Sequence, residues 1–425
     1  MKLWVFLVRR LILLIPILIG VMTITFILIS SLPIYSPTGG PDRLDICRPS
    51  GPHNPMPQPG TPQFNQSVHA CGLDLPVFEQ YGLYVSNIFT LHWGYISPNS
   101  CIGNSQSGCT FGGNPSTLIV NAVETCGSPC QVTTLIGAWL PYTLELAMFS
   151  LVIIIVAALP LGTYSAVRRN RPLDQATRVF SFSGYALAPF LLASFIMLGA
   201  YFLLTPGAAA CYGTQPLDII QGSWPPGTLN GLTGGCLVPS GGYLPFSNSM
   251  GATSPTGLPI LDAAIYAATH PSPHGAPGYY WSIVGSGALR ILLPAVTIAY
   301  GTMAGILRFV RNSMLEIMNQ DFVRTARAKG VTEGRVIRHH AGRNSLNATV
   351  TVLGLTFAFF MQGFTITELV FQLYGVGRLF TFSLIPNIDP GVLTASTLVL
   401  TIMVVIANLI VDVLYGYLDP RVRMG

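Results

Sequence analysis

The sequence predicts an all-α membrane protein with six transmembrane helices and two large insertions outside the membrane. Composition is the first reason, because 50% of the 425 residues are hydrophobic and only 9% are charged. Soluble domains carry about 25% charged residues, so this chain lacks the polar surface that a water-soluble enzyme needs. The second reason is a set of six long apolar runs, and the third is the one-sided placement of the cationic residues.

Each apolar run is long enough to cross the hydrocarbon layer, which takes about 20 residues. The runs are Leu11–Leu32, Leu146–Val167, Val179–Ala210, Ile291–Leu307 with a start extended to around Trp281, Asn344–Thr367 and Gly391–Val411. The first run is longer than a signal-peptide core and no clear cleavage site follows it. We therefore expect it to be a retained membrane anchor.

The cationic residues predict the orientation. Seventeen of the 21 Lys and Arg residues fall on one side of the six-span arrangement. They precede the first span (Lys2, Arg9, Arg10), lie between the second and third spans (Arg168, Arg169, Arg171, Arg178) or between the fourth and fifth (Arg308, Arg311, Arg324, Arg327, Lys329, Arg335, Arg338, Arg343), or follow the sixth (Arg421, Arg423). The positive-inside rule then places both termini in the cytoplasm of a multi-pass protein of the cell (plasma or inner) membrane.

The spans and insertions divide the chain. The predicted parts are 1–32 (cytoplasmic N-terminus and first span), 33–134 (Cys-rich first insertion), 135–205 (second and third spans), 206–280 (second insertion) and 281–425 (last three spans, with a cytoplasmic loop over 308–343). Within the first insertion, the apolar spacing over Leu75–Trp93 predicts a weakly amphipathic helix. The insertions either stabilise the outer face or form a docking surface there.

All eight cysteines fall in the two insertions, on the oxidising side of the membrane, which predicts disulfides. They are Cys47, Cys71, Cys101, Cys109, Cys126 and Cys130 in the first insertion and Cys211 and Cys236 in the second. Six cysteines allow fifteen pairings, whereas Cys211–Cys236 is the natural pair in the second insertion. A zinc site at Cys126 and Cys130 is the alternative, but no second Cys or His pair with matching spacing accompanies it.

The sequence contains no P-loop for ATP binding and no catalytic motif. A phosphate-binding P-loop needs a lysine followed by Ser or Thr, and the two lysines, Lys2 and Lys329, are followed by Leu and Gly. Ion-coupled carriers tend to have ionisable groups inside their spans. The three candidates here, Glu145, Glu368 and Asp412, lie near predicted span ends, where we expect them to pair or to cap helices.

The loop between the fourth and fifth spans has the most informative pattern. Leu315, Met318, Phe322 and Ala326 share one helix face, and Gly330 is placed to end that helix in a left-handed conformation. A second helix follows, with Thr332 as its cap and Glu333 in its first turn. The resulting helix–glycine–helix elbow is basic, so it either lies on anionic lipid or docks into a groove of a cytoplasmic partner.

The segment Asp321–Gly330, which reads DFVRTARAKG, resembles the "EAA" coupling motif of ABC-importer permeases in its dipeptide/oligopeptide form. Five further segments resemble the same family in order: Arg9–Val21 (RRLILLIPILIGV), Leu159–Gly162 with Leu173-Asp174, Leu289–Ala295 (LRILLPA), Glu368–Phe371 with Gly375–Leu379, and Asn408–Arg423. The first insertion is longer than usual for this family, and its six cysteines are not a family feature.

This resemblance implies the type I ABC importer permease fold and the first of two permease subunits. A second permease would complete a heterodimer, two ATPase subunits would bind ATP and Mg below it, and an extracytoplasmic binding protein would deliver solute. No cofactor, metal or nucleic acid is expected on this non-catalytic chain beyond its contact with membrane lipid. The implied ATPase-coupling residues are Asp321, Arg324, Thr325, Ala326, Arg327, Ala328, Lys329, Gly330 and Val331.

The solute implied by the resemblance is a peptide, although members of the family also take up oligosaccharides or metal chelates. The rival interpretation is a self-contained channel or secondary carrier with a basic cytoplasmic loop. A membrane-anchored adhesion or receptor protein is a third possibility, which rests only on the cysteine-rich insertions and leaves the six spans unexplained.

Overall fold

The computed structural model describes residues 3–36, 42–47, 57–95, 131–204, 258–270, 279–342, 344–345, 364–371, 373, 375–384 and 389–418. Regular secondary structure in these residues is helical, except for one isolated antiparallel bridge between Tyr95 and Gln131. The described part of the chain is therefore α-helical, as the sequence predicts.

Helix α1, Leu3–Ser30, confirms the first predicted span. Large aliphatic side chains point outward along it, among them Ile15, Ile19 and Ile27 at 47–58% exposure. A helix that remains apolar on its outer face requires an apolar surrounding, which lipid supplies.

The first insertion packs against α1. Its helices are α2 (Leu44–Cys47), α3 (Pro62–Ala70) and α4 (Val77–Phe89). Helix α4 confirms the helix predicted over Leu75–Trp93. The hydroxyl groups of Tyr81 and Tyr84 lie 3.0 and 2.8 Å from those of Thr23 and Thr25 on α1, within hydrogen-bond distance. These bonds fix α4 beside the C-terminal half of α1.

A disulfide between Cys47 and Cys71 joins α2 to the residue that follows α3. This pairing is one of those left open by the sequence. The other cysteines lie outside the described residues, and so do the predicted Cys211–Cys236 pair and the zinc alternative; they are Cys101, Cys109, Cys126, Cys130, Cys211 and Cys236.

The next three helices are α5 (Val132–Val167), α6 (Pro172–Ala186) and α7 (Pro189–Leu204). Helix α5 contains the second predicted span and begins at Val132 rather than at Leu146. The prediction of one continuous helix over Val179–Ala210 was wrong, because the chain bends by 113° between α6 and α7. Pro189 accounts for the bend, since proline has no N–H to donate and disfavours helical geometry in the preceding residue.

Helix α8 (Pro259–Thr269) precedes the long helix α9 (Tyr279–Met318), which includes the fourth predicted span and its early start. Helix α9 approaches α5 and α6 closely. A Cβ atom added at Gly162 would lie 2.8 Å from Cβ of Val310, and one added at Gly184 would collide with Ala304. Glycine at both crossings allows the helix backbones to approach.

After α9 come α10 (Asp321–Ala328), α11 (Glu333–Arg335), a π-helical segment (Val336–Gly342), helical residues 364–370, α12 (Val376–Phe382) and α13 (Pro390–Leu418). Helix α13 confirms the sixth predicted span. The fifth, Asn344–Thr367, lies mostly outside the described residues. Among the described helices, α1, α5, α9 and α13 are long and apolar enough to cross a membrane, and α6 with α7 would make a fifth span. Six spans remain a prediction.

The main hydrophobic core lies where α5, α9, α12 and α13 meet. Two carboxylates are buried beside it. Glu145 on α5 accepts the Ile260 N–H of α8 at 2.8 Å, and Glu368 accepts the Arg378 N–H of α12 at 3.0 Å. Both cap the first turn of a short helix, which satisfies N–H groups that have no intrahelical partner. Capping was predicted, but Glu145 lies well inside α5 rather than at its end; the side chain of Asp412 lies outside the described residues.

Candidate functional site

The predicted elbow follows α9, and we define it as residues 321–335. The carbonyl groups of Glu316 and Ile317 accept the N–H groups of Asn319 and Gln320 at 3.2 and 3.1 Å, which closes the last turn of α9. Gln320 then adopts an extended conformation (φ −74°, ψ 153°) at the start of α10. Helix α10 therefore begins with a new axis and does not continue α9.

One face of α10 packs against the chain itself. Val323 is fully buried and Ala326 is 8% exposed. They belong to a small hydrophobic cluster, here named the elbow cluster, whose other buried members are Ala166, Met314, Ile317, Val336 and Ala341. The elbow cluster joins α10 to the ends of α5 and α9 and to the π-helical segment, so the elbow is held in one position.

The predicted apolar face of this segment was wrong at one position, Phe322. Leu315 and Met318 pack against the elbow cluster and Ala326 belongs to it, but the break before α10 turns Phe322 away from it. Val323 takes the inward position, and Phe322 stays 40% exposed. Ala326, predicted to face an ATPase, is instead buried in the elbow cluster, so it does not belong to the exposed surface.

The turn between the two elbow helices is built on Gly330, which has φ +78° and confirms the predicted left-handed ending. Its N–H donates to the Arg327 carbonyl at 2.9 Å, and the Val331 N–H donates to the Ala326 carbonyl at 3.2 Å. This pair of bonds is the Schellman arrangement, which satisfies the last carbonyl groups of a helix. Thr332 stands at the N-cap of α11 as predicted, although its side chain makes no capping hydrogen bond.

An ion pair bridges the turn. Arg327 donates to both carboxylate oxygens of Glu333, with distances of 2.6 Å from Nη2 to Oε1 and 3.0 Å from Nε to Oε2. The Arg327 guanidinium lowers the pKa of Glu333, and the Glu333 carboxylate raises the pKa of Arg327. Because both side chains are partly exposed, the pair contributes at most about 1 kcal/mol. Its bidentate geometry links the end of α10 to the start of α11 across the turn.

Most of the predicted coupling residues form one exposed surface. Those exposed are Asp321, Arg324, Thr325, Arg327, Ala328, Lys329 and Gly330, whereas Val331 is half-buried and Ala326 is buried. Three of them are cationic, and Arg324 lies 3.8 Å from Asp321 in an exposed pair. Phe322 adds an exposed aromatic ring that sequence reasoning assigned to the inner face. The surface is basic, with one apolar contact point.

A buried carboxylate supports the neighbouring helix ends. Asp174 on α6 is fully buried and accepts hydrogen bonds from Arg311 of α9 at 2.6 and 3.1 Å and from Arg178 at 2.7 Å. The Ser165 hydroxyl of α5 and the Asn170 N–H donate to it at 2.8 and 3.0 Å. Asp174 thus ties α5, α6 and α9 together near the elbow. Sequence reasoning noted this aspartate only as part of a family match and missed its role.

The described residues contain no group of three or more His, Cys, Asp or Glu side chains that could hold a metal ion. In the first insertion, Nδ1 of the exposed His69 lies 2.7 Å from an oxygen of the Asp74 carboxylate, within hydrogen-bond distance. The Asp74 carboxylate raises the pKa of His69 through this hydrogen bond. What the elbow offers chemically is a fixed, exposed and positively charged surface.

Comparison with known proteins gives a consistent match. Residues 158–424 match the family model described as "Binding-protein-dependent transport system inner membrane component". The oligopeptide transport system permease protein AppB of Bacillus subtilis is 28% identical over 418 residues, covering 98% of this chain and 99% of that protein. The dipeptide transport system permease protein DppB of Escherichia coli is 26% identical over 424 residues, covering 98% of each chain. The matched residues of the family model include Asp174 and the whole elbow.

Proposed function

The chain belongs to the family of binding-protein-dependent transport system inner membrane components, and on that premise we propose that its elbow receives the force of cytoplasmic ATPase subunits during solute uptake. The chain is the permease component of a binding-protein-dependent ABC transporter, a membrane subunit in a transport system.

One observation carries the coupling proposal: the elbow is exposed on one face and fixed on the other. Val323 and Ala326 anchor it in the elbow cluster, and the Arg327–Glu333 pair links its two helices across the turn. A docking element that is already ordered loses little conformational entropy when it binds. Its position next to the ends of α5 and α9 lets a movement of the elbow reach the helices of the main core.

The assembly proposed is a heterodimer with a second, similar permease, two ATPase subunits that bind ATP and Mg, and an extracytoplasmic binding protein. Both termini and the elbow lie in the cytoplasm, because the cationic residues concentrate on that side. The insertions over 33–134 and 206–280 then face outward, where the binding protein docks. The remaining parts, 1–32, 135–205 and 281–425, carry the spans.

Short peptides are the proposed solute. Two relatives that align over nearly the whole chain are an oligopeptide and a dipeptide transport system permease, which supports a peptide over an oligosaccharide or a metal chelate. Uptake of radiolabelled dipeptides, oligosaccharides and nickel chelates by the complete importer would decide among them. Uptake of a sugar or chelate without any peptide uptake would contradict the proposal.

The coupling test is Lys329→Glu, which reverses an exposed charge on the elbow surface and leaves the Arg327–Glu333 pair intact. In the reconstituted importer we expect ATPase stimulation by the binding protein to fall by about tenfold, equivalent to about 1.4 kcal/mol of lost docking energy. Arg171→Glu is the matched control, because Arg171 is an exposed cation at the start of α6, outside the elbow.

Normal uptake with Lys329→Glu, or an equal loss with Arg171→Glu, would contradict coupling through the elbow. The rival self-contained channel has its own test. Peptide flux through the purified chain alone, in liposomes without ATPase subunits, would establish that rival.

A further inference from the structure

A cavity of about 370 Å³ lies between α6 and α9. Four arginines line the cavity: Arg169 and Arg178 on the α6 side, and Arg308 and Arg311 on α9. The apolar side chain of Phe182 lines it as well. Nothing in the coupling proposal requires this cavity, and it lies apart from the exposed surface of the elbow.

The cavity carries excess positive charge. Asp174 pairs with two of its arginines, Arg178 and Arg311. The oxygens of Asp174 also accept the Ser165 hydroxyl and a backbone N–H, so its acceptor capacity is largely used. Within the described part of the chain, no carboxylate lies at ion-pair distance from Arg169 or Arg308. Clustered guanidinium groups with few carboxylates favour a phosphate or carboxylate group, which they bind in bidentate fashion.

An apolar rim lies beside the cavity, formed by Phe182, which lines it, and by Val179, three residues earlier on α6. Val179 and Phe182 of α6 are 69% and 63% exposed, and the Arg308 guanidinium lies 5.7 Å from the centre of the Phe182 ring. Helix α6 thus places exposed apolar residues beside the cationic Arg178. This combination is typical of helices at the boundary between lipid headgroups and acyl chains.

We propose that the cavity binds the headgroup phosphate of an anionic phospholipid, whose acyl chains lie along Val179 and Phe182. A soluble phosphate would use the arginines alone and leave the apolar rim unused, whereas a phospholipid uses both. Basic pockets between membrane helices are suited to such headgroups. The bound lipid bridges α6 and α9, the same two helices that Asp174 joins.

The test uses the purified full chain in neutral detergent, titrated with phosphatidylglycerol or phosphatidylcholine, with bound lipid counted by native mass spectrometry. We expect the first phosphatidylglycerol to bind about tenfold more tightly than phosphatidylcholine. The double variant Arg169→Gln/Arg308→Gln should lose this preference. Neither arginine contacts Asp174, and both are exposed, so folding should be retained.

The matched control, Arg335→Gln/Arg338→Gln, removes two exposed cations beyond the cavity and should keep the preference. Equal losses in the two double variants would mean general surface attraction and would overturn the proposal. Full displacement of phosphatidylglycerol by inorganic phosphate would also overturn it, in favour of a soluble anion. Phe182→Gln should weaken lipid binding while Phe322→Gln, on the elbow, should not; equal effects would show that the apolar rim takes no part.

Discussion

At the scale of single residues, Gly330 decides the shape of the elbow. Its φ of +78° is costly for any residue with a Cβ, although no atom lies within 4 Å of where that Cβ would be. We expect Gly330→Ala to destabilise the elbow by about 1 kcal/mol, purely through backbone strain. Hydrogen exchange of residues 321–335 should then accelerate by roughly fivefold in the folded protein.

Gly334→Ala is the matched control, because Gly334 also has open space around it but lies in α11 without a positive φ. Exchange in that variant should stay the same or slow slightly, since alanine favours helix. Equal acceleration in both variants would refute the strain argument.

The residue scale also shows what the sequence could predict. The role of Gly330 was predictable because it depends on local backbone chemistry. The inward position of Val323 was not, because it depends on two turn hydrogen bonds that end α9. Asp174 was missed because its partner Arg311 lies 137 residues away in the sequence. Long-range pairing of this kind leaves no periodic signal in the chain.

At the scale of secondary-structure elements, Asp174 holds the junction of α5, α6 and α9. We expect Asp174→Asn to cost about 3–5 kcal/mol, because it leaves the nearly buried Arg311 without its counter-charge. A thermal unfolding scan of the purified chain should show a lower melting temperature. Asp321→Asn, at an exposed carboxylate, should change stability by less than about 0.5 kcal/mol. Indistinguishable melting of the two variants would contradict this role.

The sequence predicted the helices better where a helix keeps one axis along its whole length. The apolar runs predicted α1, α9 and α13 because each is a single helix with an apolar outer or inner face. The run over Val179–Ala210 predicted apolar helical content but not its direction, since apolar content is insensitive to the 113° bend before Pro189. The proline was visible in the sequence, but prolines are tolerated inside membrane helices, so it did not decide the question.

At the scale of the whole molecule, the Cys47–Cys71 disulfide closes a loop of 24 residues in the first insertion. In the chain-entropy model such a loop contributes about 3 kcal/mol to the ordering of the segment. We expect reduction to accelerate hydrogen exchange in residues 57–95 and to leave α9 and α13 unchanged. In the variant Cys47→Ser/Cys71→Ser, residues 57–95 should exchange rapidly without reductant. Adding reductant should not accelerate their exchange further.

If reductant strongly accelerated hydrogen exchange of residues 57–95 in that double variant, other cysteines would be responsible for ordering the segment. The placement of the cysteines on the oxidising side of the membrane stays a prediction from their distribution. Their pairing was not predictable, because six cysteines in one insertion leave fifteen possibilities that only the folded chain reduces.

Helix α9 has a mechanical consequence for such a molecule. Pro294 is the proline inside its 40 residues and removes one backbone hydrogen bond there, so bending is easiest at that point. Residues 295–318 form a stiff arm about 36 Å long that ends at the elbow, and residues 279–293 form a shorter arm of about 22 Å. A displacement of the elbow is therefore taken up by bending at Pro294, so the arm over residues 295–318 can tilt while residues 279–293 keep their place.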